Sequence, residues 1–283
     1  MADPNRRAPF GARLHSAVTA RGNLCVGIDP HPVLLRSWGL GTDATGLAEF
    51  SRRALEAFAD LVPAVKPQVA FYEEYGSAGI GVLEDVLGAI SESGALSVAD
   101  AKRGDIGSTM AGYARAWLRD GSPLASDALT VSPYLGVGAL DPAFEMAAEN
   151  GRGLFVLART SNPEGGSLQD STGPAGSVAQ SVVDEVALRN AQAGVGGPGP
   201  FGVVVGATVT DPPRLGGLSG PILMPGVGEQ GGTVADVRRI AGPALSHTLV
   251  NVSRHVLRAG PDVDAMRATV VEMAAEYRFT DDS

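Results

Sequence analysis

Cysteine is nearly absent from this chain of 283 residues: Cys25 stands alone, so no intrachain disulfide can form. Its position inside the apolar run Leu24-Cys25-Val26-Gly27-Ile28 marks a buried strand thiol rather than a nucleophile. Histidine is scarce as well. His15, His31, His247 and His255 fall at no metal-ligand spacing, so no metal is expected. Positive charge is in deficit, with 22 Lys and Arg against 31 Asp and Glu, a net charge of −9. That balance argues against a broad nucleic-acid surface, and an anionic ligand must be held locally against the overall field. Long apolar runs are missing too, and none approaches the roughly 18 residues of a membrane span. Met1–Phe10 carries two arginines but no apolar core, so no secretory signal is expected there and the expected location is cytoplasmic.

What is present is a repeat of apolar runs and amphipathic stretches. Short apolar runs predict strands over 24–28, 64–69, 96–102, 128–131, 153–158, 201–205, 222–224 and 248–252. Between them, apolar residues at helical spacing predict helices over 45–61, 77–92, 107–119, 139–149, 177–193, 233–241 and 262–277, with a short one near 211–217. Residues 8–21 predict a helix covering one end. Pro67 sits awkwardly in a central strand and predicts that its strand ends or bulges there. Thr160–Ser177 is long, polar and rich in Gly, Ser, Asn and Pro, which suits a functional loop or lid. Eight strands alternating with helices in about 250 residues predict an α/β fold, a single (β/α)8 barrel with an N-terminal capping helix. No shift in composition marks a domain boundary, so residues 1–283 are expected to form one domain, its barrel core about 24–277.

Polar residues gather where such barrels place their chemistry, at the C-terminal ends of the strands. These are Asp29, Lys66, Asp100, Lys102, Asp105, Thr160, Ser161, Gln230 and Arg254. Strand alternation puts Asp100 and Lys102 on one face, and Asp105 follows beyond Gly104. Two carboxylates flanking one ammonium would keep Lys102 charged, a held proton donor. A plain ion pair, with Asp105 capping the next helix, is the structural alternative. The loop Pro225-Gly226-Val227-Gly228-Glu229-Gln230-Gly231-Gly232 allows close backbone approach. Its N–H groups and those at the next helix start are expected to form an anion nest. Arg254, just past the eighth strand, can grip a phosphate. There is no Walker-type lysine and serine, so a small monophosphate ester is indicated.

The segments Asp100-Ala101-Lys102-Arg103-Gly104-Asp105-Ile106-Gly107-Ser108-Thr109, Pro225–Gly232 and Ser253-Arg254 together resemble the orotidine 5′-phosphate decarboxylase family, in its longer bacterial branch. The resemblance runs in order from Asp29 to Arg254. It implies decarboxylation of orotidine 5′-monophosphate to UMP and CO2 without a cofactor, the last step of pyrimidine nucleotide synthesis. It further implies that Lys102 protonates C6, that Asp100 lies near the substrate carboxylate, and that Lys66 bridges aspartates and ribose. Asp105 and Thr109 would come from the neighbouring subunit of a homodimer. Asp29 would bind ribose hydroxyls and Ser161 the pyrimidine, with Pro225, Gly226, Gln230, Ser253 and Arg254 around the phosphate. Ser253 departs from the glycine that many members carry there. Two alternatives stay open. One is a magnesium-dependent sugar-phosphate decarboxylase or aldolase on a related barrel, although those relatives generally have an acidic residue where this chain has Lys66. The other is a non-catalytic phosphate-binding barrel.

Overall fold

The computed structural model describes residues 7–279 apart from positions 175 and 195. Residues 1–6 of the segment read for targeting, both ends of the expected 1–283 domain, and Ala175 of the polar loop lie outside the described residues. Eight parallel strands close on themselves in chain order: β1 (Leu24–Ile28), β2 (Ala64–Pro67), β3 (Leu96–Arg103), β4 (Ala128–Val131), β5 (Gly153–Arg159), β6 (Phe201–Val205), β7 (Ile222–Pro225) and β8 (Thr248–Val252). The ring closes because β1 pairs with both β2 and β8, Val26 facing Val65 on one side and Val252 on the other. Every residue of β1, β6 and β8 is buried. Inward side chains fill the barrel while outward ones lie under helices, which is why β1 and β6 read as continuous apolar runs rather than alternating ones.

The helices that follow are α1 (Phe10–Arg21), α2 (Ala44–Phe58), α3 (Gly76–Glu92), α4 (Gly107–Leu118), α5 (Asp141–Glu149), α6 (Val178–Ala193), α7 (Val234–Ala241) and α8 (Val263–Glu276). In α2, Leu47, Phe50, Ala54 and Phe58 all face the sheet and are fully buried, as their spacing predicts. Its start is fixed by Asp43, whose carboxylate accepts a hydrogen bond from Gly46 N at 2.8 Å. Ser177 and Asp262 cap α6 and α8 in the same way.

The expected capping helix is α1. It closes the end of the barrel where the strands begin, with Phe10, Leu14 and Val18 in one cluster with Cys25, Leu96, Phe155 and Leu249. Phe10 sits so close to Gly153 that a β-carbon there would lie 2.2 Å from its ring. Burying a phenylalanine this fully contributes roughly 2 kcal/mol. Arg13 ties the same helix to Asp127 at 2.6 Å and to the Gly151 carbonyl at 2.9 Å.

Two expectations about elements are settled here. β2 stops at Pro67, as a residue without an N–H requires. The short helix near 211–217 does not form; those residues are turn and irregular backbone. Pro212 and Pro213 supply no N–H and Gly216-Gly217 disfavour helix, so Gln180 of α6 bonds the Arg214 backbone instead, at 2.8 Å. Among the described residues no helix is long and apolar enough to cross a membrane.

Candidate active site

β3 is regular only as far as Ala99. Opposite β4, Ala99 pairs with Leu129 and Arg103 with Val131, so the intervening stretch Asp100–Lys102 bulges. Lys102 takes a φ of 47°, in the left-handed region that a lysine rarely adopts. Asp100 and Lys102 do converge on one side, but the bulge brings them together rather than the simple alternation of a flat strand. Arg103 turns the other way, over the rings of Tyr113 and Trp117 and against Glu73. Gly104 passes so near Ser132 O that a β-carbon would lie 2.5 Å from it, so only glycine fits.

The buried centre of the site is the Asp100 carboxylate. Its Oδ2 accepts from Lys66 Nζ at 2.9 Å and Gln68 Nε2 at 2.8 Å. Its Oδ1 accepts from Lys102 Nζ at 2.6 Å and Thr130 Oγ1 at 3.0 Å. Burial pushes the carboxyl upward, and the two ammonium groups outweigh burial and hold it well below the usual carboxylate range. For Lys66 burial works downward and Asp100 and Asp29 outweigh it, so the amine is held above its ordinary value. Both groups are therefore charged at neutral pH. Cys25, beneath them, is pushed up to about 12, chiefly by burial, and stays a thiol.

This array forms one wall of a cavity of about 310 Å³ at the C-terminal mouth of the barrel. The size is near the lower end of small-molecule sites. Asp29, Lys66, Asp100, Lys102, Ser161, Pro225, Gly226, Gln230, Ser253 and Arg254 all line it, so the structure brings together ten residues singled out from the sequence. Thr160 also lines it, with its hydroxyl turned to Asn162 and Gln169. Ser161 Oγ donates to Gln230 Oε1 at 2.7 Å, linking the loops after β5 and β7 across the mouth. Ser253 Oγ lies over Gly27, where a β-carbon would come within 2.1 Å; the missing side chain at position 27 makes room for it. Asp29 Oδ1 and Asn251 Oδ1 are buried and make no hydrogen bond within the described chain, leaving two acceptors for a ligand.

Two expectations need correction. Asp105 does not flank Lys102 within the described chain: among the described residues its carboxylate accepts from Ile106 N alone, at 2.8 Å, and neither it nor Thr109 lines the cavity. The anion nest after β7 is smaller than the glycine pattern suggests. Gly228, Gly231 and Gly232 donate their N–H groups to carbonyls of the same loop, and the start of α7 is taken by the Thr233–Asp236 capping box. The 160–177 loop has internal structure. It holds a turn of helix, Gly166–Gln169, a two-residue hairpin pairing Thr172 with Ser177, and an Arg159–Asp170 ion pair at 2.7 Å.

Gln68, Thr130 and Asn251 were missed in the sequence. Each is a lone polar residue at a strand end, a pattern that core hydrogen bonding also produces. The available signal was position: each sits at the same end of the barrel as the charged set. Among the described residues no group of three or more His, Cys, Asp or Glu is placed to hold a metal ion.

Comparison with known proteins gives the chain a family. The family model described as Orotidine 5′-phosphate decarboxylase / HUMPS matches residues 22–269. The orotidine 5′-phosphate decarboxylase of Corynebacterium efficiens is 62% identical over 270 residues, covering 95% of this chain and 96% of that protein. A crystal structure from Streptomyces avermitilis superposes with a TM-score of 0.92 at 51% identity, covering 98% and 97% of the two chains. The OMP decarboxylase of Leishmania donovani does so at 0.73 and 29% identity, covering 96% and 100%.

Proposed function

The chain belongs to the orotidine 5′-phosphate decarboxylase / HUMPS family, and from that premise we propose that it converts orotidine 5′-monophosphate to UMP and CO2 without a cofactor, as a cytoplasmic carboxy-lyase of pyrimidine nucleotide synthesis. One observation carries the reading most directly. A chain of charges running from buried Lys66 and Asp100 to the half-exposed Lys102 stands at one wall of the cavity, while Gln230 and Arg254 line the same cavity from the loops after β7 and β8.

The substrate's two charged ends fit that layout. The bond between C6 and the carboxylate carbon breaks, its electron pair stays on C6, and CO2 leaves. The ring cannot delocalise an in-plane carbanion, so stabilisation must come from a cation already in place. The Lys102 ammonium supplies it and then transfers a proton to C6, giving UMP; the neutral amine regains a proton from solvent. Asp100 lies near the departing carboxylate and holds Lys102 in position. Lys66 and Asp29 meet the ribose, and Ser161 meets the pyrimidine. Pro225, Gly226, Gln230, Ser253 and Arg254 surround the phosphate. Phosphate binding energy, gained far from the bond that breaks, can order the loop over 160–177 and the charged array.

The active unit in this reading is a homodimer with Asp105 and Thr109 reaching the partner's site. Their outward position supports it, together with the exposure of Ile106 (61%), Tyr134 (77%) and Leu135 (55%) on the same and the adjacent loop. The whole function sits in one barrel domain.

The test is the ultraviolet absorbance change of orotidine 5′-monophosphate in EDTA, for the parent and for Lys102→Ala. Conversion by the parent, and a loss of at least about a thousandfold in the variant, is expected. No turnover by the parent, with or without magnesium, would sink this reading and turn the search to sugar phosphates.

A further inference from the structure

Lys102 is one of two non-glycine residues with positive φ among the described residues, and the other, Ser219, lies away from the cavity. Something must hold a proton-donating lysine in a backbone state it does not favour. The β3–β4 register shows where to look. The four residue steps from Ala99 to Arg103 are met on β4 by only two, from Leu129 to Val131. The residue at the middle of the short side is Thr130.

Thr130 is 1% exposed. Its hydroxyl accepts a hydrogen bond from Lys102 N at 2.9 Å and donates one to Asp100 Oδ1 at 3.0 Å. The bulge deprives the Lys102 N–H of a regular ladder carbonyl, and the Thr130 hydroxyl stands in for it. The same oxygen fixes the carboxylate that receives Lys102 Nζ. One hydroxyl thus holds both ends of the Lys102–Asp100 contact, backbone on one side and carboxylate on the other. We infer that Thr130 is a positioning residue for the proton donor: its side chain locks the β3 bulge so that the Lys102 ammonium is aimed at the reacting carbon. The inference rests on the decarboxylase reading above.

Thr130→Val keeps the β-branched shape and removes only the hydroxyl, and Thr130→Ser keeps the hydroxyl. For the valine variant kcat is expected to fall at least about tenfold, the loss of a hydrogen bond to a charged group. Its Kd for UMP, read by calorimetry, should stay within about threefold of the parent, because Thr130 acts through Asp100 and Lys102 rather than on the phosphate. The serine variant should recover kcat to within about threefold of the parent. A valine variant with the parent's kcat overturns the inference. So does one in which kcat and UMP affinity fall together, since that marks a collapsed pocket. If the valine variant does not fold, Thr130→Ala compared with Thr130→Ser decides the matter, and equal kcat in the two overturns it. Parent and Lys102→Ala run in the same assay keep the two readings apart: a parent without turnover sinks the decarboxylase, whereas a fully active valine variant beside an active parent sinks only the role of Thr130.

Discussion

Lys66 Nζ lies 2.9 Å from Asp100 Oδ2, with both residues more than nine-tenths buried. Such a pair is weak evidence for stability, because desolvation offsets much of the attraction. Removing one partner is a different matter, since it strands the other charge. Lys66→Met is expected to destabilise the protein by about 3 kcal/mol, the low end for a broken buried pair, because Gln68, Thr130 and Lys102 still reach Asp100. Replacing both, Lys66→Met with Asp100→Leu, should recover part of that loss. Urea unfolding reads both values, and a single variant as stable as the parent would show that the pair is not mutually compensating.

Stability should be flat between about pH 7 and 8, should fall in two stages on acidification, and should also decline above about pH 8.5, where the unfolded chain ionises the Cys25 thiol that burial holds at about 12 in the fold. His247 is held below its ordinary value by burial and by His15, so the unfolded chain takes up that proton first. Stability then begins to drop as pH passes the unfolded histidine value of about 6.5. Asp100 and Asp127 are both held low, Asp127 by Arg13 and Ser97 acting against its burial. Their contribution is present above the unfolded value of about 4 and is lost as pH falls toward the folded one. Lys66, held high, contributes below about 10.4 and loses that only at strongly alkaline pH. Urea midpoints across pH 3–9 check this, and His247→Gln should remove the upper stage alone.

Arg254 should govern phosphate affinity. Its guanidinium lies 3.9 Å from Glu229, but Glu229 is engaged at 2.7 Å by both terminal nitrogens of Arg258. Arg258 thereby keeps Glu229 from neutralising Arg254. Arg254→Ala is expected to raise KM for orotidine 5′-monophosphate by about 100-fold, the loss of roughly 2–3 kcal/mol of charge-assisted bonding. Turnover of orotidine, which has no phosphate, should not change. A KM shift equal for both substrates would place the phosphate elsewhere.

The proposed homodimer makes a prediction that a monomer does not. Lys102→Ala and Asp105→Asn should each be nearly inactive alone. Mixed after dissociation, they should regain about a quarter of the parent's sites, because one of the two sites in each heterodimer then carries both native residues. Mixing that restores nothing would mean that Asp105 does not act across an interface.

Most of the framework was legible in the chain. Strand runs such as Leu24–Ile28 and Phe201–Val205 are apolar throughout because they are covered on both faces, and the 3.6-residue spacing of Leu47, Phe50, Ala54 and Phe58 follows from one buried face. The segment 211–217 shows the limit: its apolar Leu215 and the adjoining Leu218 are buried, but two prolines and two glycines decide against helix. Gln68, Thr130 and Asn251 were not legible as site residues, because a lone polar side chain among apolar neighbours carries no mark of what it faces.

The sequence by itself determined the eightfold alternation and the end of the barrel at which charge collects, since both follow from local pattern and chain order. It also determined that Lys66, Asp100, Lys102 and Arg254 belong to that end. Only the tertiary structure decided how they meet. The β3 bulge, the left-handed backbone at Lys102 and the Thr130 hydroxyl that spans them depend on the register between two strands whose contacting residues lie 28 and 30 positions apart. Register is a property of paired strands, and no local pattern in either one encodes it.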